Sequence, residues 1–431
     1  MKIIIVGAGI GGLAAALSLH AAGFDDIEIH ERSREIRGLG VGLNLLPHAI
    51  RELTELGLGD RMHELGVAPR ALSYMNRHGQ LIWSEPRGVD AGYRWPQLSV
   101  HRGRLQLALA DAVTERLGEV IRLGSRLVDV HSADAGTEIA RFETADGDSV
   151  EVEADLVIGA DGIHSALRAL RYPDEGPPPW SGLTLWRGVA TVPQFLDGQT
   201  MIMAGDAEQK FVAYPLARAE SDADEGAIRV NFIAERRGVG SADADWNRTV
   251  DPAPIAELFD DWRYDWLDVP AVIAAADEIL EYPMVDRDPL PQWTFGRTTL
   301  LGDAAHAMYP NGSNGGSQAI LDARTLAFHL ATSPDVDSAL AAYEQARRPA
   351  MTALLASTRA TGPERVMQLA RERAPEGFAD IHDVIPAAEL EEVATGYKRA
   401  AGFHPSTLND RASLSATRQG TPETGADVAG S

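Results

Sequence analysis

The chain of 431 residues contains no cysteine, which excludes disulfide bonds, thiolate metal sites and thiol redox chemistry. Basic residues are also in short supply, because 63 acidic residues against 39 basic ones give a net charge of −24. That sign disfavours nucleic acid or an anionic membrane as a partner, since both need a basic protein face. No apolar run approaches the roughly 20 residues of a membrane helix. We therefore expect no nucleic-acid and no membrane partner, and no metal site.

The N-terminus is typical of a buried strand that leads into a glycine-rich turn and a helix. Residues 2–6 form a continuous apolar run, so that no room is left before them for a signal peptide and a cytoplasmic protein is expected. Gly7, Gly9 and Gly12 follow in the spacing of a dinucleotide fingerprint, and Glu31 ends the next predicted strand. Gly7 permits the turn, Gly9 lets a pyrophosphate approach the backbone, and Gly12 lets the helix pack on the strand. Glu31 is placed to accept ribose hydroxyls; the alternative is a purely structural turn.

The periodicity changes in the middle of the chain and again near residue 298. Four short β-rich runs predict a largely antiparallel sheet: 183–192, 200–204, 211–216 and 227–234. A buried-strand pattern returns at 298–301, and helices are predicted from 320 to 400. The predicted fold is α/β, a Rossmann-like dinucleotide domain with an inserted, mostly antiparallel β substrate domain and C-terminal helices. The predicted boundaries are 1–73, 99–178 and 283–350 for the first domain, 74–98 and 179–282 for the second, 351–404 for the helices, and 405–431 for a disordered tail.

Two further glycine–aspartate pairs follow predicted strands. Asp161-Gly162 lies between a strand and a helix, and Gly302-Asp303 opens the glycine-rich stretch 298–323. Either aspartate has an alternative role as a helix cap, because a carboxylate readily accepts the free N–H groups of a first helical turn. The stretch 298–323 is rich in glycine and other small residues, so a flat ligand could lie against its backbone.

The three motifs, in this order and spacing, resemble the FAD-dependent aromatic hydroxylases of the p-hydroxybenzoate hydroxylase fold. His101-Arg102 resembles a helix start of that family whose arginine reaches the flavin nucleotide. The stretch 309–318 is similar to the phenazine-1-carboxylate hydroxylase branch, and the resemblance extends from Met1 to about Ala400. The sequence departs from the commoner pattern at Asn314, where glutamine is usual, and at Ala307, where proline is frequent.

The resemblance implies non-covalent FAD, NADH or NADPH as the electron donor, and O2 with a small aromatic substrate as partners of a monomer or homodimer. The implied reaction is hydroxylation of the aromatic ring through a flavin hydroperoxide, with or without loss of a carboxyl group. Asp303 is expected at the ribityl chain, and a helix starting near Ser317 at the pyrimidine end of the flavin. The expected cofactor-binding residues are Gly7, Gly9, Ile10, Gly11, Gly12, Glu31, Arg32, Gly42, Arg102, Asp161, Asp303, Pro310, Gly312, Asn314, Gly315 and Gly316.

Three residues of the predicted antiparallel sheet are candidate substrate contacts. Trp186 and Tyr214 could sandwich an aromatic ring, and Arg187 could hold a carboxylate with two hydrogen bonds. The alternative for each is ordinary sheet packing with a solvated arginine. His306, near the glycine-rich stretch, is expected to be a packed structural histidine. No side chain is required as a nucleophile, because the cofactor carries the chemistry.

Other classes of flavin-binding fold leave their own signatures. Enzymes that resemble the disulfide reductases need a second dinucleotide motif and a redox dithiol, and the sequence has neither. Halogenases of this fold use an early lysine, and none of Lys2, Lys210 and Lys398 fits. An epoxidase or amine oxidase stays open. A non-catalytic chaperone with this fold is disfavoured by the intact phosphate loop and Glu31.

Overall fold

The computed structural model describes residues 1–38, 40–133, 136–218, 226–239, 248–360, 364–400 and 404–418. Its strands are β1 Ile3–Val6, β2 Ile27–Glu31, β3 Gly42–Leu45, β4 Gly66–Val67, β5 Ala71–Met75, β6 Leu81–Pro86, β7 Leu98–His101, β8 Ile121–Leu123, β9 Ser125–Ser132, β10 Glu138–Thr144, β11 Ser149–Ala154, β12 Leu156–Gly159, β13 Trp180–Pro193, β14 Thr200–Gly205, β15 Gln209–Arg218, β16 Ala227–Arg237, β17 Arg248–Thr249, β18 Arg263–Tyr264, β19 Leu267–Asp268, β20 Ala276–Val285, β21 Thr294–Phe295 and β22 Thr298–Leu300. Its helices are α1 Ile10–Ala21, α2 Pro47–Glu55, α3 Gly59–Leu65, α4 Arg102–Leu117, α5 Ala166–Arg171, α6 Pro252–Glu257, α7 Val269–Ala274, α8 Asp303–His306, α9 Gly315–Thr332, α10 Val336–Arg359, α11 Arg365–Arg373, α12 Ala387–Ala400 and α13 Pro405–Asp410.

The N-terminal strand lies inside a six-stranded sheet of order β21-β22-β12-β1-β2-β8. All neighbours pair in parallel except β21, which is antiparallel to β22. The four residues of β1 are buried because the sheet is covered by helices, with α1 packed against α4 and α9. The continuous apolar run of the first strand therefore has the physical origin that the sequence suggests. The predicted α/β class with a Rossmann-like first unit is confirmed.

The β-rich middle of the chain forms an eight-stranded sheet of order β17-β20-β13-β16-β15-β14-β5-β6. Its pairs are antiparallel apart from β14 and β5. The sheet takes in β5 from Ala71, three residues before the predicted boundary at 74. One face packs on α6 and α7, and we call it the outer face; the other, the inner face, packs on α11 and α12.

The predicted start of a separate helical region at 351 is wrong, because α10 runs unbroken from Val336 to Arg359. Its buried stripe contains Tyr343 before that point and Met351 and Leu355 after it. A continuous apolar stripe keeps one helix packed on one core, so no domain boundary falls there.

The segment 404–418 is folded, which corrects the prediction of disorder from residue 405. Arg51 donates to the carbonyl oxygens of Leu408 at 3.0 Å and Arg411 at 2.7 Å. The N–H of Arg418 donates to the carbonyl of Ala22, on the end of α1. The segment is held both by these backbone groups and by its own polar side chains, with Ser413 donating to Glu55 at 2.7 Å. A polar composition does not reveal such long-range contacts. Residues 419–431 of the predicted tail lie outside the described residues.

Candidate active site

A cavity of about 340 Å³ lies between the carboxyl edge of the parallel sheet and the inner face of the eight-stranded sheet. Thirteen predicted site residues line it: Gly9, Ile10, Gly11, Gly42, Arg102, Arg187, Tyr214, Asp303, Pro310, Gly312, Asn314, Gly315 and Gly316. The other six predicted site residues do not line it: Gly7, Gly12, Glu31, Arg32, Asp161 and Trp186. One cavity thus joins the phosphate loop, the glycine-rich stretch and the antiparallel sheet, segments that are far apart along the chain.

The three fingerprint glycines differ in what surrounds them. Gly7 has a φ of +103°, a region that side chains rarely adopt. A Cβ on Gly12 would overlap the carbonyl oxygen of Gly7, so this glycine is required by the packing of α1 on β1. A Cβ on Gly9 would meet nothing within 4 Å, because this position faces the cavity. The open cradle at Gly9 fits a pyrophosphate at the start of α1.

Two long helices begin at the cavity without a side-chain cap. Helix α1 starts after Gly9, and α9 starts at Gly315, two residues before the expected Ser317. Neither has an acidic residue in its first turn. The free N–H groups and positive dipole ends of both helices are therefore available to a ligand with negative charge. This arrangement fits the diphosphate and the pyrimidine end of FAD.

Glu31 and Asp161 hold loops rather than line the cavity. Glu31 accepts hydrogen bonds from the N–H groups of Ala8 and Ser33, both at 2.9 Å, and so ties the phosphate loop to the end of β2. Asp161 accepts from the hydroxyl of Ser165 at 2.5 Å and from the N–H of Ala166 at 2.6 Å. The side chain of Asp161 thus has the capping role that the sequence left as its alternative, while the backbone around it lines the cavity.

Asp303 opens the glycine-rich stretch with its carboxylate accessible from the cavity. Desolvation by the surrounding protein raises the pKa of this carboxyl, although His306 and, more weakly, Arg102 oppose the shift. The N–H of Gly302, whose φ is +58°, donates to Asp322 at 2.9 Å, which fixes the turn before Asp303. Burial raises the pKa of Asp322, but His306 and Arg347 lower it more strongly, to about 2.

His306 is a buried structural residue, as the sequence predicts. Its side chain is 1% exposed, and its Nε2 lies 2.5 Å from the carboxylate of Asp322. The loop beyond it carries the backbone strain of the site: Gly312 has a φ of +78° and Ser313 one of +58°. A serine in the left-handed region is uncommon, and strained residues of this kind cluster at active sites and ligand-binding loops.

Arg187 and Tyr214 lie on the inner face of the eight-stranded sheet, but Trp186 lies on its outer face. Alternate residues of a strand point to opposite faces, so neighbours in sequence cannot both reach the cavity. Trp186 donates to Glu281 at 2.9 Å and belongs to the apolar core against α6 and α7. Arg187 donates to the carbonyl of Gly42 at 2.8 Å, and burial raises the pKa of Tyr214 to about 12. The predicted role of Trp186 as a substrate contact is therefore wrong.

Sequence reasoning missed most of the side chains that line the cavity from the eight-stranded sheet. Most of the missed residues occupy alternate positions of β5, β14, β15 and β16: Leu72, Tyr74, Met201, Met203, Lys210, Val212, Ile233 and Glu235. The others lie on β3 or outside the strands: Asn44, Arg87, Gln97 and Glu364. The period-two pattern of these strands was a usable signal, since it separates the two faces. It does not tell which face a ligand meets.

Two general findings concern only the part of the chain that the structure describes. Within it, no helix has both the length and the apolar character needed to cross a membrane. The same residues offer no group of three or more histidine, aspartate or glutamate side chains arranged to bind a metal ion.

Comparison with known proteins places the chain in a family. Residues 1–358 match the FAD binding domain family. The phenazine 1,6-dicarboxylic acid hydroxylase of Lysobacter antibioticus is 42% identical over 402 residues, which are 92% of this chain and 96% of that protein. The 6-hydroxynicotinate 3-monooxygenase of Bordetella bronchiseptica is 30% identical, over 75% of this chain and 81% of that protein.

Solved structures show the same fold. The Klebsiella pneumoniae HpxO structure complexed with FAD and uric acid has a TM-score of 0.73 and 23% identity, and the match covers 95% of this chain and 97% of that one. The 2,6-dihydroxypyridine-3-hydroxylase of Arthrobacter nicotinovorans has a TM-score of 0.68 and 23% identity, with 88% and 94% covered. The chain belongs to the FAD binding domain family and is an FAD-dependent aromatic hydroxylase of the p-hydroxybenzoate hydroxylase fold.

Proposed function

We propose that this enzyme uses NADH or NADPH and O2 to hydroxylate a fused aromatic carboxylic acid of the phenazine carboxylate class. The support is the phenazine hydroxylase at 42% identity, together with the shape and charge of the cavity. A cytoplasmic location is part of the proposal, because reduced nicotinamide is made inside the cell.

The observation that carries the proposal is the substrate-facing wall of the cavity. Strand register aligns its side chains in three rows across the inner face, each row two residues from the next. Tyr214 lies in the row beside Gly42, and Val212, Ile233 and Met203 form the middle row. The third row is polar and lies about 14 Å from the first, at roughly 3.4 Å per residue. This length exceeds a single aromatic ring and suits a fused one.

Arg187 is the residue proposed to hold the substrate carboxylate. It shares the middle row with Ile233, so its guanidinium lies at the side of an otherwise apolar surface. One guanidinium N–H group binds the carbonyl of Gly42, while the buried Nε has no partner among the described residues. A buried donor without a partner favours an acceptor on the ligand. A carboxylate is the acceptor that a guanidinium binds best.

The cofactor contacts are proposed on the same geometry. The N-terminus of α1 and the open backbone at Gly9 bind the diphosphate, and Asp303 binds a ribityl hydroxyl. The proposed ribose contact of Glu31 rests on the sequence pattern alone, because its carboxylate lies outside the cavity and accepts from Ala8 and Ser33. The N-terminus of α9 stabilises negative charge at the pyrimidine end of the ring. Gly315 and Gly316 leave room for the flat ring.

When bound, FAD supplies the two-electron reduction of O2 and the transfer of one oxygen atom to the ring. The protein orients the substrate and keeps water away from it with the apolar row of the inner face. Tyr214 stays un-ionised at neutral pH, since its pKa is about 12, and can donate a hydrogen bond. Plain hydroxylation and hydroxylation with loss of CO2 are both compatible with a carboxylate held by Arg187.

The experiment is a turnover assay in labelled O2. Purified holoenzyme is incubated with NADH or NADPH and with phenazine-1-carboxylic acid, phenazine-1,6-dicarboxylic acid or a single-ring hydroxybenzoate, and the products are identified by mass. We expect label from O2 in a phenazine product and faster NAD(P)H oxidation when the phenazine is present. Label that comes from water, or acceleration by the single-ring acid alone, contradicts the proposal.

A further inference from the structure

A buried ion cluster lies at the polar third row of the inner face. Lys210 and Glu235 belong to that row, and Glu364 joins them from the segment before α11. Lys210 on β15 and Glu235 on β16 are directly opposed in register, and Glu364 precedes α11. The Nζ of Lys210 lies 2.9 Å from a carboxylate oxygen of Glu235 and 2.6 Å from one of Glu364. The three side chains are 6%, 4% and 11% exposed.

The cluster carries one more negative than positive charge, because two carboxylates share a single ammonium group. Burial of an uncompensated charge is costly, and burial accordingly raises the pKa of Glu235. Arg187 on β13 acts on Glu235 from a distance in the opposite direction. The two carboxylates also raise the pKa of Lys210, against the effect of burial, so the ammonium stays charged. A further proton, or a ligand that donates one, would balance the cluster.

The cluster is part of a cavity wall and not of the packed core. All three side chains line the active-site cavity, at the end away from Gly42. They also line a second cavity of about 490 Å³, on the side of Arg237 and Arg359. A pair that served only to join the sheet to α11 would need one carboxylate. The second carboxylate adds negative charge at a surface that a ligand can reach.

We propose that Lys210, Glu235 and Glu364 form a specificity subsite that receives a hydrogen-bond-donating group on the substrate ring farthest from the flavin. The group is a hydroxyl, or a carboxyl that enters with its proton, and Glu235 is its acceptor. The inference rests on the proposed function for the identity of the ring system. The inference also explains how the enzyme distinguishes between members of that class. Arg187 binds the carboxylate near the flavin, and the cluster binds the substituent at the opposite edge of the ring system.

The test compares two ligands that differ only at that edge, phenazine-1-carboxylic acid and 6-hydroxyphenazine-1-carboxylic acid. Their Kd values for the oxidised holoenzyme are measured from the change in the flavin absorbance spectrum, so no turnover is needed. We expect the wild-type enzyme to bind the hydroxylated ligand about tenfold more tightly, as one hydrogen bond to a charged acceptor provides. In Glu235→Gln that preference should be largely lost.

Two further variants keep the test decisive. Glu364→Gln leaves Glu235 as the only carboxylate beside Lys210, and we expect it to reduce the preference as well. Glu151→Gln removes an exposed carboxylate from β11, on another sheet, and should keep the wild-type preference. Equal loss of affinity for both ligands in Glu235→Gln, or no preference in the wild type, overturns the subsite. The labelled-O2 assay fails independently if the proposed function is wrong, because the Kd values do not depend on turnover.

Discussion

The nucleotide side and the substrate side of the active-site cavity are built by opposite means. On the side proposed for the nucleotide, backbone forms much of the cavity wall, with glycines at Gly9, Gly315 and Gly316 and two uncapped helix ends. On the substrate side it is made of side chains from alternate strand positions. A backbone surface requires particular residue types at fixed spacing, whereas a side-chain surface accepts many sequences. The difference explains why the sequence offers a motif for one side and only single candidates, Arg187 and Tyr214, for the other.

The largest effects on stability and FAD binding should come from substitutions of Gly12, which packs α1 on β1, and Gly9, which faces the cavity. Gly12→Ala introduces a Cβ that overlaps the carbonyl oxygen of Gly7, so we expect a strongly destabilised protein without FAD. Gly9→Val adds side chain only to open space, so it should unfold near the Tm of the wild-type apoprotein while FAD binding is lost. Thermal unfolding and flavin absorbance after purification measure both. A Gly9→Val protein with full FAD content would show that the cofactor does not lie against this loop.

Acid should lower the free energy of unfolding, because His30 on β2 is buried in its neutral form. Burial lowers the pKa of His30 from about 6.5 to about 4, so the unfolded chain binds a proton that the folded one does not. Stability is therefore retained above about pH 6.5 and falls as the pH drops towards 4, by about 3 kcal/mol at most. In His30→Gln the free energy of unfolding should depend less steeply on pH across this window. Parallel pH profiles of variant and wild type would contradict the shifted pKa.

The two aspartates that follow strands should differ in what they affect. Asp303→Ala removes an acceptor that is open to the cavity, and we expect FAD binding to weaken by about 1–3 kcal/mol. Asp161→Ala removes the carboxylate that accepts from the N-cap Ser165 and from the N–H of Ala166 at the start of α5, so it should lower stability by about 1 kcal/mol with a smaller effect on FAD affinity. Isothermal titration of the apoproteins with FAD, beside denaturant unfolding, gives both quantities. If Asp161→Ala weakened FAD binding more than Asp303→Ala did, Asp161 would be the FAD contact and Asp303 the structural residue.

The smallest expected effect concerns neighbouring residues on the two faces of β13. Arg187→Met should weaken binding of phenazine-1-carboxylic acid about tenfold, since a charge-assisted bond is lost. Trp186→Phe changes only the outer face and the bond to Glu281, so it should lower the Tm and leave that Kd unchanged. Flavin absorbance titrations and thermal unfolding are the measurements. An equal loss of affinity in both variants would contradict a direct contact between Arg187 and the ligand. It would mean that destabilising the sheet is enough to weaken binding.

Much of the fold followed from local patterns, and the errors have local causes too. The buried strand β1, the glycine turn and the four antiparallel strands were predicted with small shifts in their ends. The boundary at 351 failed because α10 has one unbroken apolar stripe across it. Disorder was predicted for 405–431 from its polar composition, which does not show that 405–418 is held by long-range contacts with residues such as Arg51 and Glu55. For Trp186, strand periodicity separated two faces but could not assign the ligand to one of them.

The sequence by itself determined the cofactor and predicts a glycine-lined cradle for it, because tight turns and close backbone approach admit little except glycine at fixed positions. Only the tertiary structure decided the substrate wall. Leu72, Lys210 and Glu364 come from distant parts of the chain and meet in one cavity, and no local pattern encodes such a meeting. Their side chains act together through register between strands and the packing of α11 on the inner face. Those contacts exist only once the chain has folded.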